Sequence, residues 1–150
     1  MVPPLDSQAI ANIISTVTAL AAIAALIYQL RAAKRQIKLQ NFIEFTKRYQ
    51  GIILNLPERI NDPTFAIELL GPREKNKTLR YMRAYFDLCF EEFTLHKKGL
   101  IDNDLWEMWK SGMEFAFSKS AFKQAWHVIR QDTKFGSGFE EFVQSHVGTA

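Results

Sequence analysis

Three side chains on one stretch of the chain, Tyr85, Glu92 and His96, are of the types that carry acid–base chemistry. At 3.6 residues per helical turn, their spacing places them within about 40° of one another on a helix. A carboxylate that accepts a hydrogen bond from an imidazole is the start of a general-base pair. The alternative is structural: a carboxylate at a helix border, a histidine that suits the negative C-terminal end of its helix, and a half-buried tyrosine. We prefer this structural alternative and expect no enzymatic activity.

Two arginines on the same stretch, Arg80 and Arg83, could instead hold an anionic ligand. For Arg83, a surface ion pair with Asp87 at i, i+4 is the preferred alternative. Trp106 and Trp109 could line a pocket, although core packing is preferred for both. The candidate contacts for a ligand or a protein partner are Arg80, Arg83, Tyr85, Glu92 and His96.

Other kinds of chemistry lack their sequence signatures. The chain has no phosphate-binding glycine loop, no nucleophile elbow and no paired-cysteine metal pattern. Di-iron bundles need Glu-x-x-His on two helices, whereas Glu92 and His96 are four residues apart and form the nearest such pair. The single cysteine, Cys89, excludes an internal disulfide and is expected to be a buried, reduced thiol. We therefore predict no catalytic residue, no metal and no cofactor.

Helical periodicity defines the elements that would position these side chains. A central helix over residues 77–98 carries apolar side chains on two sides and is followed by Gly99, which suits a helix C-terminus. Further helices are predicted over residues 63–70, from about residue 105, over residues 120–131, and near the C-terminus. No run alternates strictly as a half-buried strand would. The predicted fold is all-α, a cytoplasmic bundle of about five helices preceded by one transmembrane helix.

The transmembrane helix is predicted over residues 9–30, which are 22 residues without a charge. At about 1.5 Å per residue this segment reaches the ~30 Å of a hydrocarbon core. A buried helix of a soluble protein seldom runs so far without a charge. A cleaved signal peptide is disfavoured because the N-terminal residues lack a basic region.

The net charge of +3 lies just after this segment. Residues 31–50 hold six basic residues and one acid, whereas residues 51–150 hold thirteen basic and fourteen acidic residues. Basic residues beside a span stay in the cytoplasm and attract anionic lipid. We therefore expect the N-terminus outside the inner membrane, the C-terminal domain in the cytoplasm, and no nucleic-acid binding. The predicted membrane-surface contacts are Arg31, Lys34, Arg35 and Lys38.

Two stripes on the long N-terminal helix suggest packing partners. Small residues at four-residue spacing, Ala11, Ser15 and Ala19, could bring two spans together in lipid. An apolar seam follows over Leu39, Phe42, Thr46, Tyr49, Ile53 and Leu56. Fewer than three heptads make packing onto the protein's own domain the preferred interpretation over a coiled coil.

The predicted organisation has four parts: a short extracytoplasmic tail (1–8), the span (9–30), a basic juxtamembrane helix (31–50) and a cytoplasmic helical domain (51–150). Several short signatures follow in order: Glu91-Glu92-Phe93, Lys98-Gly99-Leu100-Ile101-Asp102, Trp106 with Trp109, Trp126, and Phe139-Glu140-Glu141-Phe142. In these features the chain resembles an uncharacterised family of small bacterial membrane-anchored helical proteins, a domain of unknown function. The resemblance implies a fold and a bacterial origin, and it supplies no catalytic residue.

These features predict a non-enzymatic interaction module or accessory subunit of a bacterial membrane complex. Its expected partners are the lipid bilayer and either a protein partner or further copies of the chain. The alternative is a ligand-gated membrane effector of a stress or phage-defence response, in which an anionic signal binds near Arg80 and Arg83. In that case Asn12, Ser15, Thr16 and Thr18 would suit a wet interface between spans.

Overall fold

The computed structural model describes residues 6–148, and all the regular secondary structure within that range is helical. Five α-helices, numbered in chain order, and one short 3₁₀ helix make up the fold. They are α1 (Ser7–Ile53), the 3₁₀ helix (Ile67–Leu69), α2 (Pro72–Lys97), α3 (Asn103–Phe117), α4 (Ser120–Asp132) and α5 (Ser137–Val147). The described residues contain no strand. They divide into two compact units, one ending at Ile43 and one beginning at Glu44. The all-α prediction is confirmed.

The first unit consists of the N-terminal part of α1. This helix contains an 18-residue window that is apolar enough to cross a membrane by length and composition, and none of that window is buried. Two of its hydroxyls bond to carbonyls of the preceding turn, Thr16 to Asn12 O at 2.9 Å and Thr18 to Ile14 O at 2.8 Å. Hydroxyls satisfied within their own helix need no water and are therefore tolerated in an apolar environment.

The second unit buries a continuous core around α2. Met82 and Phe86 on α2 are fully buried. The Phe86 ring stacks on Phe117 of α3 at 5.4 Å between centroids and lies 5.0 Å from Trp126 of α4. Aromatic pairs at these separations add to the free energy of burial. The aromatic-rich composition thus supplies the core.

The end of α1 and the turn that follows it pack onto this core with side chains that coincide only in part with the predicted seam. Phe45, Ile52 and Leu56 are buried, whereas Tyr49 of the predicted seam is 45% exposed. Phe45, which was not part of the predicted seam, packs against Trp109, with ring centroids 5.2 Å apart. The preference for packing onto the protein's own domain is confirmed for Ile53 and Leu56 of the seam, whereas Leu39 is exposed.

The predicted helix over residues 63–70 is wrong. Asp62 Oδ1 accepts hydrogen bonds from the backbone N–H and the hydroxyl of Thr64, at 2.8 and 2.7 Å. This side-chain turn competes with helix formation. Only Ile67–Leu69 adopts a helical turn, and the Ile67 N–H donates to Gln124 Oε1 at 2.8 Å.

Helix α2 begins earlier than predicted, at Pro72, because proline suits the first helical position. Its C-terminus is as predicted. Gly99 has φ +68°, its N–H donates to His96 O at 2.8 Å, and the Leu100 N–H donates to Leu95 O at 2.9 Å. This pair of hydrogen bonds forms a Schellman motif. The motif needs a residue with positive φ, a conformation that glycine adopts readily.

Candidate functional site

Helix α2 carries all five predicted ligand or partner contacts, but the structure distributes them over three different environments. Arg80 is exposed, Arg83 is partly buried, and Tyr85 and Glu92 are buried. His96 is partly buried near the C-terminal end. They therefore do not line one common site.

Tyr85 is a core residue. Its ring packs edge-on against Phe122 at 5.1 Å between centroids. Burial raises its pKa well above the usual value, and a hydrogen bond with Cys89 adds to the shift. Burial also raises the pKa of the Cys89 thiol well above its usual value. A thiol held neutral in the core is a packing group, as expected for Cys89, and not a nucleophile.

Glu92 is a carboxylic acid that is buried in the domain, with 7% of its surface exposed. Burial raises its pKa to about 8; Arg48 opposes the shift and Glu91 adds to it. The carboxyl is therefore largely protonated at neutral pH. In that form it donates a proton and cannot accept one as a general base.

Arg48 is held by the neighbouring carboxylate, Glu91. The two guanidinium nitrogens of Arg48 bind the two oxygens of Glu91 at 2.6 and 2.9 Å. Such a bidentate pair has fixed geometry. The pair lowers the pKa of Glu91. Arg48 interacts with Glu92 only electrostatically, without a hydrogen bond. Sequence reasoning missed Arg48, because nothing in the local spacing relates it to a helix 43 positions away.

His96 is positioned by Trp106 and not by Glu92. Its imidazole stacks on the indole at 4.5 Å between centroids, with 5° between the ring planes. The Nδ1 atom of His96 is buried and has no hydrogen-bond partner among the described residues. The general-base pair considered from the spacing of Glu92 and His96 is therefore not formed in this structure.

The expected ion pair of Arg83 with Asp87 is also wrong. Arg83 Nη2 binds Asp132 Oδ2 of α4 at 2.7 Å. Asp87 stays within electrostatic range of Arg83, but burial dominates and raises its pKa. Because Asp132 neutralises Arg83, that guanidinium is a poor candidate for ligand binding.

Arg80 lies in a basic groove on the surface of α2. The groove is lined by Arg73, Asn76, Lys77 and Arg80 and has a volume of about 380 Å³. These residues recur at i, i+3, i+4 and i+7, which places them on one face of the helix. Three cations and one amide can donate several hydrogen bonds to an anion. The sequence contained this spacing, but the predicted start of the helix at Lys77 concealed it.

The two tryptophans of α3 contribute to the core. Trp106 is buried against His96, and Trp109 is half-buried against Phe45. The preference for packing over a pocket is confirmed for both residues.

In the part of the chain that the structure describes, no group of three or more His, Cys, Asp or Glu side chains could hold a metal ion. His127 is exposed on α4, and His146 Nε2 lies 3.1 Å from Glu114 Oε1. These two histidines and His96, the third in the chain, thus have separate surroundings.

The predicted membrane contacts lie on the N-terminal unit. The small-residue stripe of Ala11, Ser15 and Ala19 is exposed along α1, as are the four basic residues Arg31, Lys34, Arg35 and Lys38. Their contacts with lipid or with another span stay predictions. Comparison with protein-family models, curated proteins and solved structures found no match to this chain.

Proposed function

We propose that this chain is a membrane-anchored, non-enzymatic interaction module, an accessory subunit of a bacterial membrane complex. The observation that carries the proposal is the unburied apolar window of α1, followed directly by a basic segment. An apolar helix without a protein surface to cover it lowers its free energy by entering lipid. The basic residues favour the cytoplasmic face of the inner membrane for the domain that follows.

The chemistry of the second unit supports a role in interaction. Tyr85 and Cys89 are buried in the core, Glu92 is largely protonated at neutral pH, and His96 stacks on Trp106. The hydrogen-bond partner of Tyr85 is the buried thiol of Cys89, and His96 stacks on an indole rather than pairing with Glu92. Neither arrangement is the carboxylate–imidazole couple of a general base. These environments support a domain that acts through its surfaces.

Fractionation tests the anchor. Lysed cells that express the full chain are centrifuged at high speed with and without detergent. We expect the protein in the pellet without detergent and in the supernatant with it, and a variant lacking residues 9–30 in the supernatant under both conditions. Recovery of the full chain in the detergent-free supernatant would overturn the proposal.

The basic groove of α2 favours a second candidate function, the ligand-gated membrane effector. Arg73, Lys77 and Arg80 would bind a small phosphate-bearing signal through charge-assisted hydrogen bonds. Expression that is toxic to cells only when the span is present, and that loses toxicity in Arg80→Gln but not in Lys123→Gln, would support this function. Toxicity retained in both variants would remove the groove from the mechanism.

A further inference from the structure

One face of α3 is exposed, apolar at its centre and charged at its two ends. Met108 is 55% exposed and Phe115 is 60% exposed, although both are large apolar side chains. With Asp104 and Ser111 they recur at i, i+4, i+7 and i+11, and at 100° per residue they fall within about 60° of one another. We call these four residues the α3 stripe. The opposite side of α3, with Trp106 and Phe117, is buried in the core.

Gly112 borders the α3 stripe and leaves it open to close approach. A Cβ atom added at Gly112 would meet no atom within 4 Å. Glycine costs stability in the middle of a helix, so its presence in α3 is not explained by the packing of this domain. A glycine on a helix surface allows the backbone of another helix to come near.

The charges at the two ends of the α3 stripe have opposite sign. Asp104 lies in the first turn of α3. Lys119 follows its C-terminus, and Lys119 Nζ sits 3.8 Å from the centroid of the Phe115 ring, which holds this cation at the end of the stripe. One end of the exposed face is thus negative and the other is positive.

This arrangement is complementary to itself when two copies run antiparallel. Around a two-fold axis between Ser111 and Gly112, Met108 of each copy faces Phe115 of the other, and Asp104 faces Lys119. Each of these pairs has the same sum of residue numbers, as a two-fold axis between antiparallel helices requires. A parallel arrangement would place like charges together, which costs affinity.

We infer that α3 is a self-association surface, and that its partner is α3 of a second copy of this chain. The inference rests on the proposed function for one reason. The α3 stripe is smaller than a stable interface in solution, which buries about 1,200–2,000 Å². Anchoring confines the copies to one membrane and raises their effective concentration, so that a small complementary surface suffices.

Cysteine cross-linking of the full chain in isolated membranes tests the inference. A two-fold axis beside Ser111 brings a Ser111→Cys side chain close to its copy in the partner. We expect Ser111→Cys to form a disulfide dimer under mild oxidation well before Glu141→Cys, an exposed control position on α5. The natural Cys89 is buried and stays silent in both variants. Equal cross-linking at the two positions would overturn the inference.

Charge reversal tests the antiparallel register in the Ser111→Cys background. Asp104→Lys places like charges in both pairs. The loss of two attractions of roughly 0.5 kcal/mol each is by itself expected to lower cross-linking about fivefold. Adding Lys119→Asp restores opposite charges and is expected to restore cross-linking. A double variant that cross-links no better than Asp104→Lys alone would contradict this register.

Gly112→Leu in the Ser111→Cys background provides a steric test, because Gly112 is exposed and an added Cβ would meet no atom of the domain within 4 Å. We expect cross-linking to be lost while the helical domain stays folded. Cross-linking retained in Gly112→Leu would overturn the pairing through α3. In Ser111→Cys with Gly112 unchanged, protein that remains in the membrane pellet without a cross-link would overturn the self-association surface alone. Protein recovered in the supernatant would overturn the anchor and the confinement on which the pairing depends. A different protein captured through α3 in place of a second copy would also overturn the inference.

Discussion

The imidazole of His96 lies flat on the indole of Trp106, with 4.5 Å between the ring centroids and 5° between the planes. Four residues earlier on the same helix, Glu92 is buried in the domain and its pKa is raised to about 8. The stacking contact aligns the histidine ring with a neighbouring helix rather than with that carboxyl. Helical spacing left an acid–base pair open beside the preferred structural alternative, and in the structure His96 contacts Trp106 of another helix instead.

The first prediction concerns this stacked pair. His96→Phe keeps an aromatic ring on Trp106 and removes a buried Nδ1 that has no partner among the described residues. We expect the Phe variant to match or exceed the wild type in stability by up to about 1 kcal/mol, and His96→Ala to lose about 2 kcal/mol. Urea unfolding of the detergent-solubilised full chain, followed by tryptophan fluorescence, measures both, because all three tryptophans lie in the second unit. Equal losses in the two variants would mean that the imidazole nitrogen has a partner.

The second prediction concerns the pH dependence of stability. The folded chain holds the Glu92 proton up to a pKa of about 8, whereas the ordinary value is 4.5. Between these values the folded state binds more protons than the unfolded state, so the free energy of unfolding falls as pH rises. The loss reaches about 3 kcal/mol at pH 7. Glu92→Gln is expected to remove this slope and to be more stable than the wild type at pH 8.

Glu91→Gln is the matched control for that experiment. Arg48 lowers the pKa of Glu91, so its contribution is present above pH 4.5 and is lost as pH falls through the folded value. Because the Glu91 side chain is 47% exposed, the effect is below about 1 kcal/mol. The two substitutions therefore change the pH profile of stability in different ranges: Glu92→Gln between pH 4.5 and about 8, and Glu91→Gln below pH 4.5. Identical profiles for Glu92→Gln and the wild type between pH 5 and 8 would contradict the assignment.

The third prediction separates the two acids near Arg83. The ion pair at 2.7 Å joins Arg83 to Asp132, while Asp87 contributes only at longer range. In double-mutant cycles on the free energy of unfolding, we expect a larger coupling energy between Arg83→Gln and Asp132→Asn than between Arg83→Gln and Asp87→Asn. The coupling should decrease in 1 M salt, because both partners are partly exposed. A larger coupling to Asp87 would favour the pair that was expected from the i, i+4 spacing.

Local signals in the sequence were sufficient for much of the fold. The helix end at Gly99 and the apolar periodicity of α3 and α4 are set by residues close together in the sequence. The C-terminal end of α2, the start of α3 and both ends of α4 in the structure are therefore close to those predicted. The segment over residues 63–70 was misassigned because the Asp62 side chain forms a local turn and because the Ile67 N–H donates to Gln124. A long-range bond of that kind leaves no mark on the periodicity of either segment.

The candidate site was harder to predict for the same reason. The partners of Arg83, His96 and Glu91 lie on other helices: Asp132 on α4, Trp106 on α3 and Arg48 on α1. A helical wheel relates residues only within one helix. The groove around Arg80 is the exception, because its lining residues share one helix face, and a correct start for α2 would have identified them.

The last prediction uses two glycines whose environments differ in one respect. Gly99 has φ +68°, whereas Gly112 lies within α3, and a Cβ at either position would meet no atom within 4 Å. An added Cβ therefore finds free space at both positions, and the backbone conformation decides whether the substitution stabilises or destabilises the domain. Gly99→Ala forces an alanine into the left-handed region and is expected to cost about 1 kcal/mol. Gly112→Ala reduces the entropy of the unfolded chain within a helix and is expected to stabilise the domain by up to about 1 kcal/mol. Urea midpoints of the two variants on either side of the wild-type midpoint would establish this difference, and a loss of stability in Gly112→Ala would show that the surface of α3 is not open in the folded domain.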